Sequence, residues 1–596
     1  MNQPLLSRHR SAPYRRNIRW LGSMVSVLLI VIGLSVTVVL PADSALQPAP
    51  TRIPPTLVPT AAASSSDALA NESTLARIKR DDKVRVGLLF NAPQFSEMNI
   101  RGEVAGFEAD LARSMAETWE VSFEPIQVTR QNALDMLRSG AVDMLLASQV
   151  HRRDLDPLVE FSQTYYWGSQ SMMVRPDDAA TRLSDMANRR IGYILGTASA
   201  EAISLWQQRA GIGVTLQSYL TLDQALAALV NNEVDGIVDS RVNLLRLLVQ
   251  PVARILDEPV GPEPYAVVIR RQDVNFRSLI DKTIQYLAQK GRIQELYKTY
   301  LPGTSYPLNA LFIWNGIGDS APKPDQFSDT VEYPERYTLS QIQQTGVVRV
   351  AGLRDLPPEA TESERRFDAF NRQLIEAVVS RWEMRVEYVP NSADNAADLV
   401  ASGQADIAVS LPLDWALADR VDLTHPYLLR GERLLVKKDS QYETFLDLRA
   451  RIVAVFASEA GAADRVNEIA RSVNSGVRIF IVNREQDLAQ VLLVENNADA
   501  AFGDSLKLLP HLEANPDTLR ITTRGDSPDP FYSRVYLTFG MARNDLDFRL
   551  LVEYTLQELA RNGVLASLSV PVMLPQDVPP VETWPGVSDY LGFRLS

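Results

Sequence analysis

The sequence contains no cysteine and only four histidines among its 596 residues. The absence of cysteine excludes disulfide bonds, thiolate metal sites, a cysteine nucleophile and a lipid-modified N-terminal cysteine. No two of the histidines, His9, His151, His425 and His511, have the spacing of metal ligands. An excess of positive charge is also missing, because 60 Lys and Arg stand against 73 Asp and Glu, a net charge of −13. We therefore expect no metal, no cofactor and no nucleic-acid partner.

Charged residues are absent from one long apolar run, residues 20–40, which reads WLGSMVSVLLIVIGLSVTVVL. A helix of this length spans roughly 30 Å, the thickness of a bilayer core. Arginines lie before the run, so we expect residues 1–19 to face the cytoplasm and the rest of the chain to be exported. A cleaved signal peptide with a small-residue site near 42–45 is the alternative. Because the run is longer than the apolar region of an ordinary signal, we predict an uncleaved single-pass anchor in the cell membrane.

Proline-rich stretches divide the remaining chain into two large segments. Residues 41–74 are predicted to be a disordered Pro/Ser-rich stalk, 304–337 an interdomain linker and 573–596 an irregular tail. The segments between them, 75–303 and 338–572, repeat one another in order, at an offset of roughly 260–270 residues. Such ordered matches indicate a tandem duplication of one domain. Examples are SGAVDMLLAS (139–148) with SGQADIAVS (402–410), and NNEVDGIVDS (231–240) with NNADAAFGDS (496–505).

The local pattern within each copy is one of alternating strands and helices. The stretch GFEADLARSMAETW (106–119) predicts a helix over 107–119, since apolar residues recur every four positions from Phe107 to Trp119. Short β-branched runs around it, such as KVRVGLL, predict buried strands. Helices between buried strands are typical of βαβ units, so we expect an α/β fold with mainly parallel sheets.

These motifs, in this order, resemble the family 3 solute-binding proteins, which have the type II periplasmic-binding fold and serve amino-acid uptake. The resemblance in copy one rests on GFEADLARSMA, SGAVDMLLAS, VEFSQTYY, LGTAS, EVDGIVDS and LIDKTIQYLAQKGRIQELYKTYLPG. Copy two is more diverged and lacks the glycine before its first helix, reading FDAFNRQLIEAVV (367–379). The resemblance implies two tandem domains, each of two α/β lobes joined by a hinge, with a ligand between the lobes. Lobe one of copy one would hold 80–168 and 265–303, and lobe two 174–260.

The resemblance also implies where the ligand carboxylate is held. The family uses a threonine and an arginine after the third strand, and these positions are Val150 and Leu155 in copy one. Copy two lacks both residues as well. Either Arg152 or Arg153 replaces the arginine after a local shift, or both are solvated charges at a helix start.

Other features of the family pocket have counterparts in this sequence. The family's Gly-Thr turn at a helix N-terminus corresponds to GTAS (196–199), for which an ordinary helix cap is the alternative interpretation. Copy two places Glu459 at the threonine position, where a carboxylate would repel an anion. The family's aspartate for the ligand ammonium corresponds to Asp504, whereas in copy one Asp239 fits only with a gap and Ser240 without one. The expected ligand-binding set is Phe95, Ser148, Arg153, Gly196, Thr197, Ser199, Asp239 and Asp504.

The sequence as a whole predicts a membrane-anchored extracytoplasmic protein, periplasmic or at the cell surface. It would capture a small polar solute, amino-acid-like or related, for an ABC permease or for a separate sensor protein. Loss of the arginine in both copies favours the alternative of a structural or protein-interaction module of the envelope. A lyase or dehydratase on the same fold is a further alternative. We expect no enzyme, because the sequence shows no Ser/His/Asp triad and no nucleophile motif.

Overall fold

The computed structural model describes residues 72–248, 252–304, 306–307, 310–390, 395–525, 527, 529–587 and 591–593. The predicted anchor at 20–40 and nearly all of the predicted stalk lie outside these residues. Within the described ranges, no helix has both the length and the apolar character needed to cross a membrane.

The first domain runs from helix α1 to helix α8. Its helices are α1 (Thr74–Asp81), α2 (Phe107–Trp119), α3 (Ala133–Arg138), α4 (Ser199–Ala210), α5 (Leu222–Val230), α6 (Arg241–Leu247), α7 (Val274–Gln289) and α8 (Arg292–Tyr300). Its strands are β1 (Lys83–Leu88), β2 (Asn91–Ala92), β3 (Ser96–Met98), β4 (Val104–Ala105), β5 (Ser122–Gln127), β6 (Met144–Leu145), β7 (Glu160–Val174), β8 (Arg190–Ile194), β9 (Thr215–Tyr219), β10 (Gly236–Ser240), β11 (Arg254–Ile255) and β12 (Gly261–Ile269).

The second domain runs from helix α9 to helix α16. Its helices are α9 (Thr338–Thr345), α10 (Glu362–Ser380), α11 (Ala396–Ala401), α12 (Ala462–Ser472), α13 (Leu488–Leu493), α14 (Ser505–Ala514), α15 (Leu546–Arg561) and α16 (Val564–Ser569). Its strands are β13 (Val347–Ala351), β14 (Arg385–Tyr388), β15 (Ile407–Pro412), β16 (Val421–Leu423), β17 (Leu428–Arg430), β18 (Glu432–Lys437), β19 (Ile452–Phe456), β20 (Arg478–Val482), β21 (Ala500–Asp504), β22 (Leu519–Ile521) and β23 (Val535–Ala542).

Each domain has two α/β lobes, and the domains differ in how the lobes are joined. In the first domain one sheet, ordered β5-β1-β6-β12-β7-β10-β8-β9, runs through both lobes, because β7 and β12 cross as long antiparallel strands. The chain that corresponds to β7 is broken in the second domain into β16, β17 and β18, which leaves two sheets. Pro426 lies in the first break and has no amide hydrogen for a sheet. Gly431 lies in the second break, where a Cβ would approach the Ser533 carbonyl oxygen to 1.9 Å.

Helix α2 confirms the predicted helix over 107–119 and shows why a glycine precedes it. Gly106 has φ 135°, and a Cβ there would lie 2.4 Å from the Phe95 carbonyl oxygen. In the second domain this turn is absent, because α10 extends further toward its N-terminus and has 19 residues against 13 in α2. Copy two therefore lacks the glycine because its helix begins earlier.

The two domains meet through matching residues of their first lobes. Arg277 of α7 lies 2.5 Å from Glu160 of its own domain and 2.5 Å from Asp422 of the second domain. Arg549 of α15, which matches Arg277 in the repeat, reaches back to Glu160 at 3.1 Å. All four groups are largely buried, so the junction is held by paired charges that water does not screen.

Two short segments, called arms here, extend the duplication beyond the predicted repeats. The first arm reads LFIWNG (311–316) and follows the first domain, whereas the second arm reads VETWPG (581–586) and follows the second. Each arm crosses to the other domain. Asn315 pairs with the second domain, where it accepts from the Trp415 amide at 3.0 Å, and Pro585 accepts from the Arg153 amide of the first at 2.9 Å. The predicted linker and tail thus contribute to packing between the domains.

Candidate functional site

A cavity of about 740 Å³ opens between the lobes of the first domain. Val150 comes from the first lobe and Ala198 from the start of α4 in the second, while Gln170 and Glu263 lie on the hinge strands β7 and β12. The second arm and the end of α15 close the side that faces the second domain. This cavity is of the size that small-molecule sites have in proteins.

The hinge supplies two buried acceptors to this cavity. Gln170 Nε2 donates to Glu263 Oε1 at 2.7 Å. Gln170 Oε1 and Glu263 Oε2 find no hydrogen-bond partner among the described residues. Burial raises the pKa of the Glu263 carboxyl, although the Gln170 amide and the nearby Ser240 hydroxyl lower it. Both oxygens can accept a further hydrogen bond, although the Ser240 hydroxyl lies near Glu263 as well.

One arginine of the first lobe acts electrostatically on three buried carboxyls. Burial raises the pKa of Glu108, Asp239 and Glu263, and the positive charge of Arg130, in the loop after β5, partly offsets this rise. Its side chain is exposed, and it is the cation that acts on all three carboxyls. Arg130, Gln170 and Glu263 were not predicted from the sequence. Their positions at a strand end and on hinge strands become meaningful only once the lobes are assembled.

Phe95 and Ser148 lie in the first lobe, inside its packing. The Phe95 ring is only 6% exposed and contacts the rings of Tyr166 and Tyr265 at 5.2 and 5.4 Å. The Ser148 amide donates to Glu108 Oε1 at 2.7 Å, and its hydroxyl lies 3.2 Å from Oε2. Both residues therefore have structural partners, and their contact with a solute stays a prediction.

The two arginines considered for the carboxylate have partners of their own. The Arg153 guanidinium donates to Gln557 of the second domain at 2.8 Å and lies 4.5 Å from the centre of the Tyr554 ring. Arg152 pairs with Glu201 of α4 and so connects the two lobes. Arg153 lines the cavity, but its charge is used at the domain junction.

The Gly-Thr turn is formed as predicted in shape. Gly196 has φ 80°, and the Thr197 hydroxyl donates to the Ile194 carbonyl at 2.7 Å. The Ser199 amide, the first of α4, lies 3.4 Å from the Thr197 hydroxyl, and the residue before it, Ala198, caps the helix without a side-chain bond. Of this turn only Ala198 lines the cavity described above, and ligand contact by Gly196, Thr197 and Ser199 stays a prediction.

The strand registers decide which residue matches Asp504. Ser240 pairs with Gln170 at the end of β10, and Asp504 pairs with Glu432 at the end of β21. Each begins a helix, with backbone angles of −51°, 132° for Ser240 and −59°, 132° for Asp504. Ser240 is therefore the counterpart of Asp504, as the alignment without a gap has it. Asp239 is one residue displaced and accepts from the Ser240 amide at 2.7 Å.

In the second domain the corresponding groups are occupied by the chain itself. Arg430 Nε donates to Asp504 Oδ2 at 2.7 Å, and the guanidinium lies 5.6 Å from the centre of the Phe367 ring. Glu459 Oε1 accepts from the Asp504 amide at 3.0 Å. Phe367 belongs to the N-terminal extension of α10, which also reaches the second lobe through a Ser363–Glu485 hydrogen bond at 2.7 Å.

Comparison with known proteins agrees with this architecture. The family described as bacterial extracellular solute-binding proteins, family 3, matches residues 84–303 and again 348–571. The chain belongs to this family. The match confirms the resemblance seen in the sequence and the two tandem solute-binding domains. It does not reach the predicted membrane anchor.

Individual relatives of this solute-binding chain cover one or both domains. The glutamine-binding protein of Geobacillus stearothermophilus is 25% identical over 226 residues, 37% of this chain and 85% of that protein. Membrane-bound lytic murein transglycosylase F of Desulfosudis oleivorans is 21% identical over 417 residues, 67% of this chain and 80% of that protein. Among solved structures, an ancestral arginine-binding protein bound to arginine has 22% identity and a TM-score of 0.32, covering 37% of this chain and 98% of its own.

Proposed function

We propose that this chain is a membrane-anchored extracytoplasmic binding protein whose first domain captures a small polar solute between its lobes. The observation that carries the proposal is the contrast between the two clefts. In the first domain Gln170 and Glu263 bond each other and each keeps one buried oxygen without a partner among the described residues, whereas in the second the Arg430 guanidinium lies beside Asp504 and, of the carboxyls there, only Glu459 Oε2 is left so. Capture would close the lobes, which Arg152 and Glu201 already connect.

The captured solute is then handed to an ABC permease, or its presence is reported to a separate sensor protein. The second domain, with its cleft filled, would serve as a fixed support that positions the second arm against the first domain. The proposal includes no catalysis, and the relatives that are named for binding amino acids support this choice.

One observation favours a different function, that of an envelope interaction module without a ligand. Leu155 stands at the family's arginine position in the first domain, and the arginines nearest to it are engaged with Gln557 and Glu201. Solute binding requires the Gly-Thr turn to contact the ligand, whereas in an interaction module the turn only begins α4.

Substitution of Thr197 by Val in the full-length chain tests the proposal. The change removes the hydroxyl of the Gly-Thr turn, which the family resemblance assigns to the ligand. A thermal-shift screen of amino acids, polyamines, organic acids and small sugars first identifies the solute, and we expect the affinity of the variant for that solute to fall several-fold. Thr221→Val is the matched control, since Thr221 caps α5 and bonds the Gln224 amide at 3.3 Å. A well-folded chain that responds to none of these solutes would favour the interaction module instead.

A further inference from the structure

The repeat allows the two hinges to be compared position by position. Gly168 lies opposite Glu263 in the pairing of β7 with β12, and Arg430 lies opposite Val535 in the pairing of β17 with β23. The residue of the first domain that corresponds to Arg430 is therefore Gly168. By the same registers, Gln170 corresponds to Glu432.

In the second domain both acidic groups at this hinge are neutralised from within. Arg430 binds Asp504, as described above, and its guanidinium stacks on Phe367. Arg465 of α12 donates to Glu432. A guanidinium group of the chain thus stands beside each carboxylate, which is the arrangement that buried carboxylates require.

In the first domain the acceptor groups remain but the guanidinium is absent. Ser240 stands at the position of Asp504, and a carboxylate stands instead across the hinge, at Glu263. Gly168 offers no side chain, and a Cβ there would lie 2.7 Å from Tyr166 Cε1 and 3.0 Å from the Glu263 carbonyl oxygen. An arginine therefore cannot stand here without displacing its neighbours.

The acceptors left behind are well buried and point into the cavity. Glu263 is 5% exposed and Gln170 is 2% exposed, and each has one side-chain oxygen without a partner among the described residues. Both line the cavity of about 740 Å³. The charges of Asp239, which is negative, and Arg130, which is positive, act on Glu263. The cavity is also lined by Arg152, which is paired with Glu201, and by Arg153, Arg209 and Arg561.

We propose that a cationic group of the solute other than an α-ammonium, either an alkylammonium or a guanidinium, occupies in the first domain the place that the Arg430 guanidinium occupies in the second, where Glu263 and Gln170 hold it. This assignment rests on the proposed function. It moves the cation site from the start of the second-lobe helix, where the family resemblance put it, to the hinge. Arg209 and Arg561, which line the same cavity, suit an anionic group of the same solute.

The experiment is a binding titration of the full-length chain with matched pairs of probes. Arginine is compared with its neutral isostere citrulline, lysine with norleucine, and agmatine and putrescine are included as cations without a carboxylate. Wild type is expected to bind at least one cationic probe at least tenfold more tightly than its neutral counterpart. Glu263→Gln should weaken that probe by tenfold or more, because a charge-assisted hydrogen bond in a buried site is lost.

Glu258→Gln is the matched control, since Glu258 is an exposed acid of the same domain that accepts from the Leu183 amide at 2.9 Å. The affinity of the Glu258→Gln variant for the cationic probe should equal that of wild type. Wild-type binding that survives Glu263→Gln but is lost in Asp239→Asn or Ser240→Ala would place the cation at the second-lobe helix and overturn the inference. Binding of neutral or anionic solutes alone would also overturn it, while leaving the proposed function intact. A wild-type chain that binds no solute of any class would overturn both.

Discussion

At the scale of single residues, Glu108 makes the stability of the first domain depend on pH. Its carboxylate is fully buried and accepts from the Tyr165 hydroxyl at 2.6 Å and the Ser148 amide at 2.7 Å. Burial raises its pKa from 4.5 to about 7, because those bonds only partly offset the loss of water. Above pH 4.5 the carboxyl ionises in the unfolded chain but stays protonated in the folded one until about pH 7. The free energy of unfolding therefore falls as pH rises from about 4.5 to about 7.

We expect Glu108→Gln to remove this dependence. A glutamine oxygen can accept both bonds that reach Oε1, and the second domain already has a neutral amide, Asn371, which accepts from Tyr427 at 2.9 Å. In urea unfolding the variant should match wild type near pH 4.5 and exceed it above pH 7, by at most about 3 kcal/mol. Glu117→Gln, an exposed position on the same helix, should show no such gain. A variant with the same difference from wild type at both pH values would contradict the argument.

The sequence predicted the shape of the site better than the role of each residue in it. Local patterns gave the shape of the Gly-Thr turn. They left Asp239 and Ser240 open as counterparts of Asp504, and the expected set named Asp239, whereas the strand registers match Ser240. The engagement of Arg153 by Gln557 did not, since it depends on contact with another domain. Glu263 was missed because an acidic residue in a strand gives no signal until its counterpart in the other repeat, Val535, is known.

At the scale of elements, the two arms make reciprocal contacts that can be tested one against the other. Trp584 stacks on His151 of the first domain with ring centres 3.7 Å apart, and Trp314 stacks on Trp415 of the second at 4.6 Å. We expect Trp584→Ala to raise amide hydrogen exchange in residues 151–167, and Trp314→Ala to raise it in 413–424. Trp584 is the more buried of the two, and its substitution by Ala should lower the local free energy of unfolding by about 3–5 kcal/mol.

Hydrogen exchange that rises in the domain preceding the substituted arm, and not in the other domain, would contradict these reciprocal contacts.

The elements also differ in how well the sequence predicted them. Helix α2 was predicted to the residue, because its apolar stripe is regular. The segments LFIWNG and VETWPG share a tryptophan and a glycine at the same spacing. They lie in proline-rich regions that were predicted only as a linker and a tail, so their correspondence was not predicted.

At the scale of the whole molecule, the junction should make the two domains unfold together. Arg277 lies between Glu160 and Asp422, one from each domain, and all three are at least nine-tenths buried. Arg277→Leu would leave two buried carboxylates with less than their full charge compensation, a change that typically costs about 3–5 kcal/mol. We expect calorimetry to show one transition for wild type and two for the variant, since the loss falls on the contact between the domains.

The control for this junction is Arg420→Leu, which removes an ion pair with Asp398 whose two side chains are 46% and 62% exposed. Such pairs contribute less than about 1 kcal/mol, so a single transition should persist at nearly the wild-type temperature. Two transitions already in wild type would mean that the domains fold independently. In that case closure of the first domain would not change the conformation of the second. A permease or sensor protein would then have to recognise the first domain alone.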